Sequence, residues 1–235
     1  MKVHNDFNLN EILWYKIGGR ARLYIEVENK NDVKEAFDLI KKEKINKYFF
    51  LGLGSNLIFS DEYYDGAIIK FVPGTEPIRL VKPHIIEADA GVVLDDVIRF
   101  SFDHNLSGLE WAGGLPGDVG AAVRGNVGAF GGEIKDVVKE VEVFDIVNNK
   151  PKFKILKRFE LQFSYRSSRV KKNKLGVVKA QFRLNPTDDA TMLKVRSTYN
   201  NYIEYRRIRP PLEYPKMWKG FLKITLIPEH VGERP

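Results

Sequence analysis

The 235-residue chain contains no cysteine, which excludes disulfides, thiolate metal sites and a catalytic thiol. No stretch approaches the roughly 20 consecutive apolar residues that a membrane-spanning helix needs. The charged N-terminal segment lacks the apolar run of a signal peptide, so we expect a cytoplasmic protein. The four histidines are scattered without metal-ligand spacing, and no Ser-His-Asp pattern is evident. We therefore predict no metal site.

The composition is that of an ordinary globular protein of one to two domains, with 43% hydrophobic and 29% charged residues. The net charge is +7, and a basic excess lies after Thr191. Charge runs usually face water, so a solvated helix is favoured there over a phosphate-binding wall. A basic nucleic-acid binder is a weaker alternative, because the three tryptophans are dispersed and no motif supports it. We expect neither a nucleic-acid nor a membrane partner, and the sequence leaves the oligomeric state open.

The pattern of apolar residues predicts an α+β chain in three segments, 1–72, 73–185 and 186–235. The first segment is predicted to contain a strand at 21–27, a helix at 31–44 capped by Asn31 or Asp32, a strand at 48–51, a turn at Asp65–Gly66 and a strand at 67–72.

The second segment is predicted to hold a strand at 85–88, a helix at 92–105 and three β-rich stretches at 137–147, 152–161 and 175–184. Leu94, Val97, Ile98 and Phe102 should face inward from the helix. Asn148–Asn149 is a plausible hairpin turn. The third segment is predicted to begin with a basic helix at 188–207, whose buried side carries Leu193, Tyr199, Ile203 and, as a further candidate, Tyr202.

A glycine loop, Leu51-Gly52-Leu53-Gly54-Ser55-Asn56-Leu57, follows the apolar strand at 48–51. Glycines after a strand let backbone N–H groups approach phosphate oxygens closely. The loop is not a Walker A motif, and Leu57 stands where a dinucleotide fingerprint has its third glycine. Taken alone, the loop is compatible with a phosphate cradle and equally with an ordinary turn.

A second stretch, Trp111–Gly132, contains eight glycines in 22 residues. Glycine loses much conformational freedom on folding, so such a density is destabilising unless close approach requires it. Apolar residues interleave with the glycines, which argues against a flexible linker. This pattern favours backbone packed against a flat or phosphorylated ligand over tight packing of backbone on backbone.

Five motifs in this order resemble those of the UDP-N-acetylenolpyruvoylglucosamine reductase family, flavoenzymes that make UDP-N-acetylmuramate for peptidoglycan. The resemblance is carried by Ile17-Gly18-Gly19, by Leu51 to Leu57 continuing to Ser60-Asp61, by Gly108-Leu109-Glu110 and Pro116 through Ile134, by Phe163-Ser164-Tyr165-Arg166-Ser167-Ser168, and by Pro211-Leu212-Glu213-Tyr214-Pro215. It covers residues 17–215. Ala121 and Val127 depart slightly from the family's usual glycine and alanine.

The resemblance implies the two-lobed FAD-binding fold of the vanillyl-alcohol-oxidase type, with one lobe at 1–72, the second at 73–185 and an incomplete substrate-binding domain at 186–235. It also implies a reaction in which NADPH provides hydride, through the flavin, to the enolpyruvyl double bond of a UDP-sugar. The residues that it assigns to the cofactor are Gly52, Leu53, Gly54, Ser55, Asn56, Leu57, Pro116, Gly117, Val119, Gly120, Asn126, Gly128 and Gly131.

The same resemblance assigns a catalytic role to Arg166 and substrate binding to Tyr165 and Arg206. Hydride addition beside a carboxylate builds negative charge, which a preorganised cation stabilises, and Arg166 matches the family arginine in this role. Arg206 resembles the arginine that holds the substrate diphosphate, for which a planar guanidinium is suited. Arg207 and Arg209 compete with Arg206 for this assignment.

The resemblance stops after Pro215, where the family has a proton-donating serine and then a complete substrate domain with an assisting glutamate. Here Lys216-Met217-Trp218-Lys219-Gly220 follows, no serine occurs after Ser197, and Glu229 and Glu233 lie in no family motif. We interpret the chain as shortened or frameshifted after Pro215. A non-catalytic FAD-binding remnant and a flavin oxidoreductase for another small substrate are the alternatives.

Overall fold

The computed structural model describes residues 1–208 and a short strand at 225–227, and these residues fall into two compact units. The first unit comprises Met1–Val72, Ile146–Pro151 and the strand at 225–227. The second comprises Pro73–Asp145 and residues 152–208. The helix at 189–208, which sequence analysis assigns to a third segment, is thus grouped with the second unit.

The first unit is built on a four-stranded sheet of order β1-β2-β5-β3, in which β1 is antiparallel to β2 and the other pairs are parallel. The strand β4 pairs in parallel with the strand at 225–227, here β15. The elements are β1 (Lys2–Asn8), a 3-10 turn (Leu9–Glu11), β2 (Arg20–Val27), α1 (Lys30–Lys42), β3 (Tyr48–Leu51), β4 (Leu57–Phe59), β5 (Tyr64–Phe71) and β15 (Thr225–Ile227).

Helix α1 forms where its apolar residues predict it, but its cap differs from the prediction. The side chain of Asn29 accepts hydrogen bonds from the backbone N–H groups of Asn31, at 2.9 Å, and Asp32, at 3.1 Å. Asp32 instead accepts from the N–H of Glu28 at 2.9 Å. The predicted caps Asn31 and Asp32 are therefore wrong, because the chain is still extended at Asn29 and turns helical directly after it.

The predicted turn at Asp65–Gly66 is also wrong, because both residues lie within β5. A Cβ atom at Gly66 would lie 2.4 Å from the ring of Tyr64 and 2.9 Å from the carbonyl oxygen of Lys47. This glycine therefore permits close approach inside a strand and does not mark a reversal of the chain.

The second unit is built on a five-stranded sheet of order β12-β11-β13-β7-β6. Its strands are β6 (Ile78–Lys82), β7 (Ile85–Asp89), β8 (Leu106–Ser107), β9 (Gly128–Ala129), β10 (Gly132–Glu133), β11 (Val138–Val147), β12 (Lys150–Lys157), β13 (Gly176–Arg183) and β14 (Asn185–Pro186). Its helices are α2 (Leu94–Asp103), α3 (Val119–Gly125), α4 (Ile134–Val137), α5 (Arg169–Lys172) and α6 (Asp189–Ile208), with 3-10 turns at Glu110–Ala112 and Arg158–Leu161.

Two local predictions for residues 73–151 are confirmed. Leu94, Val97, Ile98 and Phe102 of α2 are all buried. Asn148–Asn149 forms the turn between β11 and β12, and both residues have a left-handed backbone, with φ of +52° and +59°. That conformation is the one that a two-residue hairpin turn requires, and asparagine tolerates it better than most residues.

The buried side of α6 is only partly as predicted. Met192, Tyr199 and Arg206 are buried, whereas Leu193 is 71% exposed, so the placement of Leu193 is wrong. Residues seven apart lie on nearly the same face of a helix, while Leu193 is six residues from Tyr199 and points elsewhere. Ile203 and Tyr202 are half-buried. None of the described helices is long and apolar enough to cross a membrane.

Candidate functional site

The first glycine loop, residues 52–56, joins β3 to β4 in the first unit. Gly54 has φ of +67°, and a Cβ atom there would lie 2.8 Å from Cδ2 of Leu13. Gly19 donates its N–H to the carbonyl oxygen of Ser60 at 2.9 Å, and its Cβ position would be 2.3 Å from the carbonyl oxygen of Asp61. The protein's own packing therefore explains the glycines at 19 and 54.

The other residues that the resemblance assigns to the cofactor in this loop lie at the surface of the first unit. Asn56 is exposed, and Gly52, Leu53, Ser55 and Leu57 are half-buried. The loop thus presents backbone and short polar side chains outward, as a phosphate-binding loop does. Their contact with a cofactor remains a prediction.

Close packing within the second unit leaves no room for a side chain at three glycines of the second stretch, Gly113, Gly128 and Gly132, and is also tight at Gly120. A Cβ atom would lie 2.5 Å from the ring of Tyr199 at Gly113, 3.2 Å from Cβ of Ala90 at Gly120, 2.7 Å from the carbonyl oxygen of Gly132 at Gly128, and 2.4 Å from the ring of Trp111 at Gly132. At these positions the interpretation as backbone packing accounts for the sequence.

Three other glycines of the same stretch have nothing within 4 Å of where a Cβ atom would stand, namely Gly117, Gly125 and Gly131. Gly117 and Gly131 also have positive φ, +158° and +85°. Bare backbone with open space beside it is what a flat or phosphorylated ligand can approach closely. The second stretch thus divides into glycines explained by packing and glycines that leave room for a ligand.

The start of α3 is satisfied by the protein itself. The buried Asp118 accepts from the N–H of Ala121 at 2.7 Å, and the N–H groups of Val119 and Gly120 donate to the carbonyl oxygens of Val92 and Ala90, each at 2.9 Å. Predicted cofactor contacts of Val119 and Gly120 would therefore have to use atoms other than these N–H groups.

Asn126, at the end of α3, is completely buried, with 0% exposure. Its Nδ2 donates to Oε2 of Glu133 at 3.1 Å and to the carbonyl oxygen of Ser164 at 3.0 Å, while its Oδ1 accepts from the N–H of Lys135 at 3.0 Å. The side chain of this predicted cofactor residue is thus used to join segments of the protein.

Arg166 lies in the tight turn at 164–167, where Ser164 and Ser167 exchange backbone hydrogen bonds of 3.0 and 3.1 Å. Its backbone is left-handed, with φ of +51°. Its Nη2 donates to the carbonyl oxygen of Gly128 at 2.6 Å, and Nζ of Lys171 donates to its carbonyl oxygen at 3.0 Å. The structure therefore brings the predicted catalytic arginine against the glycine-rich stretch.

Glu133, to which sequence analysis assigns no role, pairs with Gly128, the residue whose carbonyl oxygen accepts from Arg166. Nζ of Lys135 lies 2.5 Å from its Oε2. The hydrogen bond from Lys135, assisted by that from Asn126 and by the positive charges of Lys135 and Arg166, lowers the pKa of the Glu133 carboxyl. Glu133 and Asp136 form a capping box at the start of α4. Two carboxylates three residues apart were therefore the sign in the sequence that Glu133 has a structural role.

The two predicted substrate residues have opposite surroundings. Tyr165 is 82% exposed, and the guanidinium of Arg166 lies 5.6 Å from its ring centroid. Arg206 is only 5% exposed; its Nη2 donates to the carbonyl oxygen of Trp111 at 3.0 Å and its Nη1 to that of Gly113. Burial lowers the pKa of Arg206 to about 10. Tyr165 is presented to solvent, whereas Arg206 is occupied by two backbone carbonyls.

The remaining predictions fall at or beyond the end of the described chain. The motif Pro211–Pro215, the departure after Pro215, the competitor Arg209 and the unplaced Glu229 and Glu233 lie outside the described residues. Within the part that is described, no group of three His, Cys, Asp or Glu side chains could hold a metal ion.

Comparison with known proteins gives one consistent family. Residues 21–148 match the FAD binding domain family. The UDP-N-acetylenolpyruvoylglucosamine reductase of Caldicellulosiruptor bescii is 38% identical over 216 residues, which are 92% of this chain and 67% of that protein. The chain spans about two thirds of the length of the curated relatives that it matches.

Comparison with solved structures gives the same result as comparison with sequences. UDP-N-acetylenolpyruvylglucosamine reductase from Thermus caldophilus is 26% identical, with a TM-score of 0.71 over 87% of this chain and 70% of that one. 6-Hydroxy-D-nicotine oxidase from Arthrobacter nicotinovorans, 16% identical with a TM-score of 0.59 over 79% of this chain and 42% of that one, shares the fold alone. The predicted α+β, FAD-binding fold of the vanillyl-alcohol-oxidase type is confirmed.

Proposed function

Because the chain belongs to the UDP-N-acetylenolpyruvoylglucosamine reductase family, we propose that it is an FAD-dependent reductase in peptidoglycan precursor synthesis. The proposed substrate is UDP-N-acetylglucosamine enolpyruvate, the product UDP-N-acetylmuramate and the hydride donor NADPH. The observation that carries this proposal is the hydrogen bond from Arg166 to the carbonyl oxygen of Gly128, which places a cation on the glycine-rich stretch. Because the reactants are intracellular nucleotides, we propose the cytoplasm as the place of action.

The residues present fit FAD. The half-buried Gly117 and the exposed Gly131 leave free space where a methyl group would otherwise stand. The half-buried Ser55 and exposed Asn56 give the first loop polar groups of the kind that bind phosphate oxygens. We propose that both stretches contribute to holding the cofactor, and that bound FAD would supply two-electron hydride chemistry between NADPH and the enolpyruvyl double bond. A proton from solvent would be added to the other carbon of that bond and complete the product.

Arg166 has the properties that the reduction requires of the protein. Negative charge develops on the carboxylate side of the double bond as hydride is added, and a cation that is already in place stabilises it without reorganisation. The left-handed turn, the bond to Gly128 and the contact from Lys171 fix the position of Arg166 in advance. We therefore propose Arg166 as the residue that stabilises this charge.

For the UDP-sugar, Tyr165 is the better placed of the two predicted residues. Its exposed ring stands next to Arg166, where it can contact an approaching substrate. Two of the five N–H donors of Arg206 are taken by the carbonyl oxygens of Gly113 and Trp111, and its 5% exposure leaves little of the guanidinium open to a diphosphate. We propose Tyr165 as a substrate contact, and the diphosphate role of Arg206 stays a prediction that its burial does not favour.

The test is a pair of anaerobic half-reactions on the FAD-loaded protein. NADPH should bleach the flavin absorption, and UDP-N-acetylglucosamine enolpyruvate should then restore it. Arg166→Gln should slow the restoration about 10²-fold, as the loss of a preorganised charge partner typically does. Arg183→Gln, at an exposed arginine at the end of β13, is the control and should behave as the wild type.

Two results would contradict the proposal. Bleaching without restoration in the wild type would identify a flavin oxidoreductase for another substrate. Flavin binding without bleaching would identify a non-catalytic FAD-binding remnant.

A further inference from the structure

Asn126 combines complete burial, a left-handed backbone and three side-chain hydrogen bonds. Its φ is +44°, and it is the residue that ends α3. Left-handed asparagines usually occur in exposed turns, where their side chains bond locally. Here two of the three bonds reach Glu133 and Ser164, which are 7 and 38 residues away along the chain. The position therefore does more than end a helix.

The bond from Asn126 to Ser164 anchors the turn that carries Arg166. Ser164 and Ser167 pair through their backbones, so holding the carbonyl oxygen of Ser164 holds both ends of this turn. A second tie follows directly after it, where Oγ of the buried Ser168 donates to the carbonyl oxygen of Arg124 at 2.8 Å. The turn is thus fastened to the segment around Asn126 on both sides of Arg166.

Arg166 itself reaches back to the same segment. It donates to Gly128, two residues after Asn126, so the guanidinium and its turn are tied to residues 124–128 at three points. Asn126 also donates to the carboxylate of Glu133, and Glu133 is strand-paired with Gly128, whose carbonyl oxygen accepts from Arg166. The Asn126 side chain therefore bonds both to the turn that carries Arg166 and to the residue paired with Gly128, the hydrogen-bond acceptor of Arg166.

We propose that Asn126 is a positioning residue, which sets the place of the Arg166 guanidinium through Ser164 and Glu133 and whose side chain does not contact the cofactor. The proposal rests on the proposed function for the role of Arg166, but its geometric part does not depend on FAD. Complete burial supports it, because every polar atom of the Asn126 side chain is already bonded within the protein.

The first test uses the protein without cofactor. Asn126→Gly removes the three bonds while keeping a residue that accepts a left-handed backbone. Asn149→Gly, at the left-handed hairpin turn, is the matched control. Phenylglyoxal labels arginine, and mass spectrometry identifies the labelled residue. The rate of labelling at Arg166 should rise about fivefold in Asn126→Gly, because a fivefold ratio corresponds to the net contribution of one hydrogen bond. The Asn149→Gly variant should label at the wild-type rate.

The second test separates positioning from cofactor contact. With FAD bound, Asn126→Gly should slow restoration of the flavin absorption by the enolpyruvyl substrate, with the dissociation constant of FAD unchanged. Combined with Arg166→Gln it should add little further loss, because residues that act through one another are not additive. Asn126→Asp, which keeps the acceptor for Lys135 but loses both donated bonds, should resemble Asn126→Gly.

The outcomes are distinct. Unchanged labelling of Arg166 in a folded Asn126→Gly protein, or weakened FAD binding with normal restoration, would overturn the proposal. Circular dichroism and the melting temperature establish that the variant is folded. Failure of the wild type to bind FAD would refute the proposed function, while the labelling result would still decide whether Asn126 positions Arg166.

Discussion

Replacing Gly132 by alanine tests whether the packed glycines of the second stretch are structural. The new methyl carbon would lie 2.4 Å from Cδ1 and Cγ of Trp111 and 2.7 Å from Cδ2. Carbon atoms pack at about 3.5–4.0 Å, so the indole ring would have to retreat by about 1 Å. The ring is buried, and its Nε1 donates to the carbonyl oxygen of Gly108 at 3.0 Å, so this retreat also strains a hydrogen bond.

The expected loss follows from these two effects. Overpacking costs about 1–3 kcal/mol and the hydrogen bond contributes about 1 kcal/mol, so the free energy of unfolding should fall by about 2–4 kcal/mol. For a chain of this size this corresponds to a melting temperature lower by about 5–15 °C. Urea denaturation and a thermal scan measure both quantities.

Gly125→Ala is the matched control, because nothing lies within 4 Å of its Cβ position. At the end of α3 it should leave the stability unchanged or raise it by up to about 1 kcal/mol through helix propensity. A Gly132→Ala protein as stable as the wild type would refute the division into packed and open glycines.

Two further predictions concern charge and capping. Burial alone would raise the pKa of Glu87, but hydrogen bonds from Gln181 and Lys179 outweigh burial, so the pKa is lowered. The ionised Glu87 therefore stabilises the folded protein above the unfolded pKa of about 4.3, and this stabilisation is lost as the pH falls through the folded pKa. The stability advantage of the wild type over Glu87→Gln, from urea midpoints across a pH series, should shrink below about pH 4.3, and a constant difference would contradict this. Asn29→Ala should lower the free energy of unfolding by about 1 kcal/mol through loss of the α1 cap, whereas Asn31→Ala should change it by less than about 0.5 kcal/mol. A larger loss of stability in Asn31→Ala than in Asn29→Ala would identify Asn31 as the cap.

Features governed by neighbouring residues were predictable from sequence. The strand β3 has the predicted bounds, because four consecutive apolar residues precede a glycine loop. The inward face of α2 follows from the spacing of its apolar residues. The turn at Asn148–Asn149 follows from the tolerance of asparagine for positive φ. Each of these signals is contained within about a dozen residues.

Features that depend on distant partners were not predictable. The roles of Asn126 and Arg206 are set by Ser164 and by Trp111 and Gly113, which are 38, 95 and 93 residues away along the chain. The motif resemblance identified the residues around Arg166, but only the structure shows which of them bond to the protein. A glycine required by a tryptophan ring and a glycine beside open space look alike in a sequence.

Whether the chain binds FAD is decided by the visible absorption spectrum of the purified protein, followed by titration with FAD. We expect flavin bands in the protein as isolated, or stoichiometric uptake of added FAD, and a weaker affinity for FAD when the open-sided Gly131 is replaced by valine. A folded, colourless protein that takes up no FAD would contradict it.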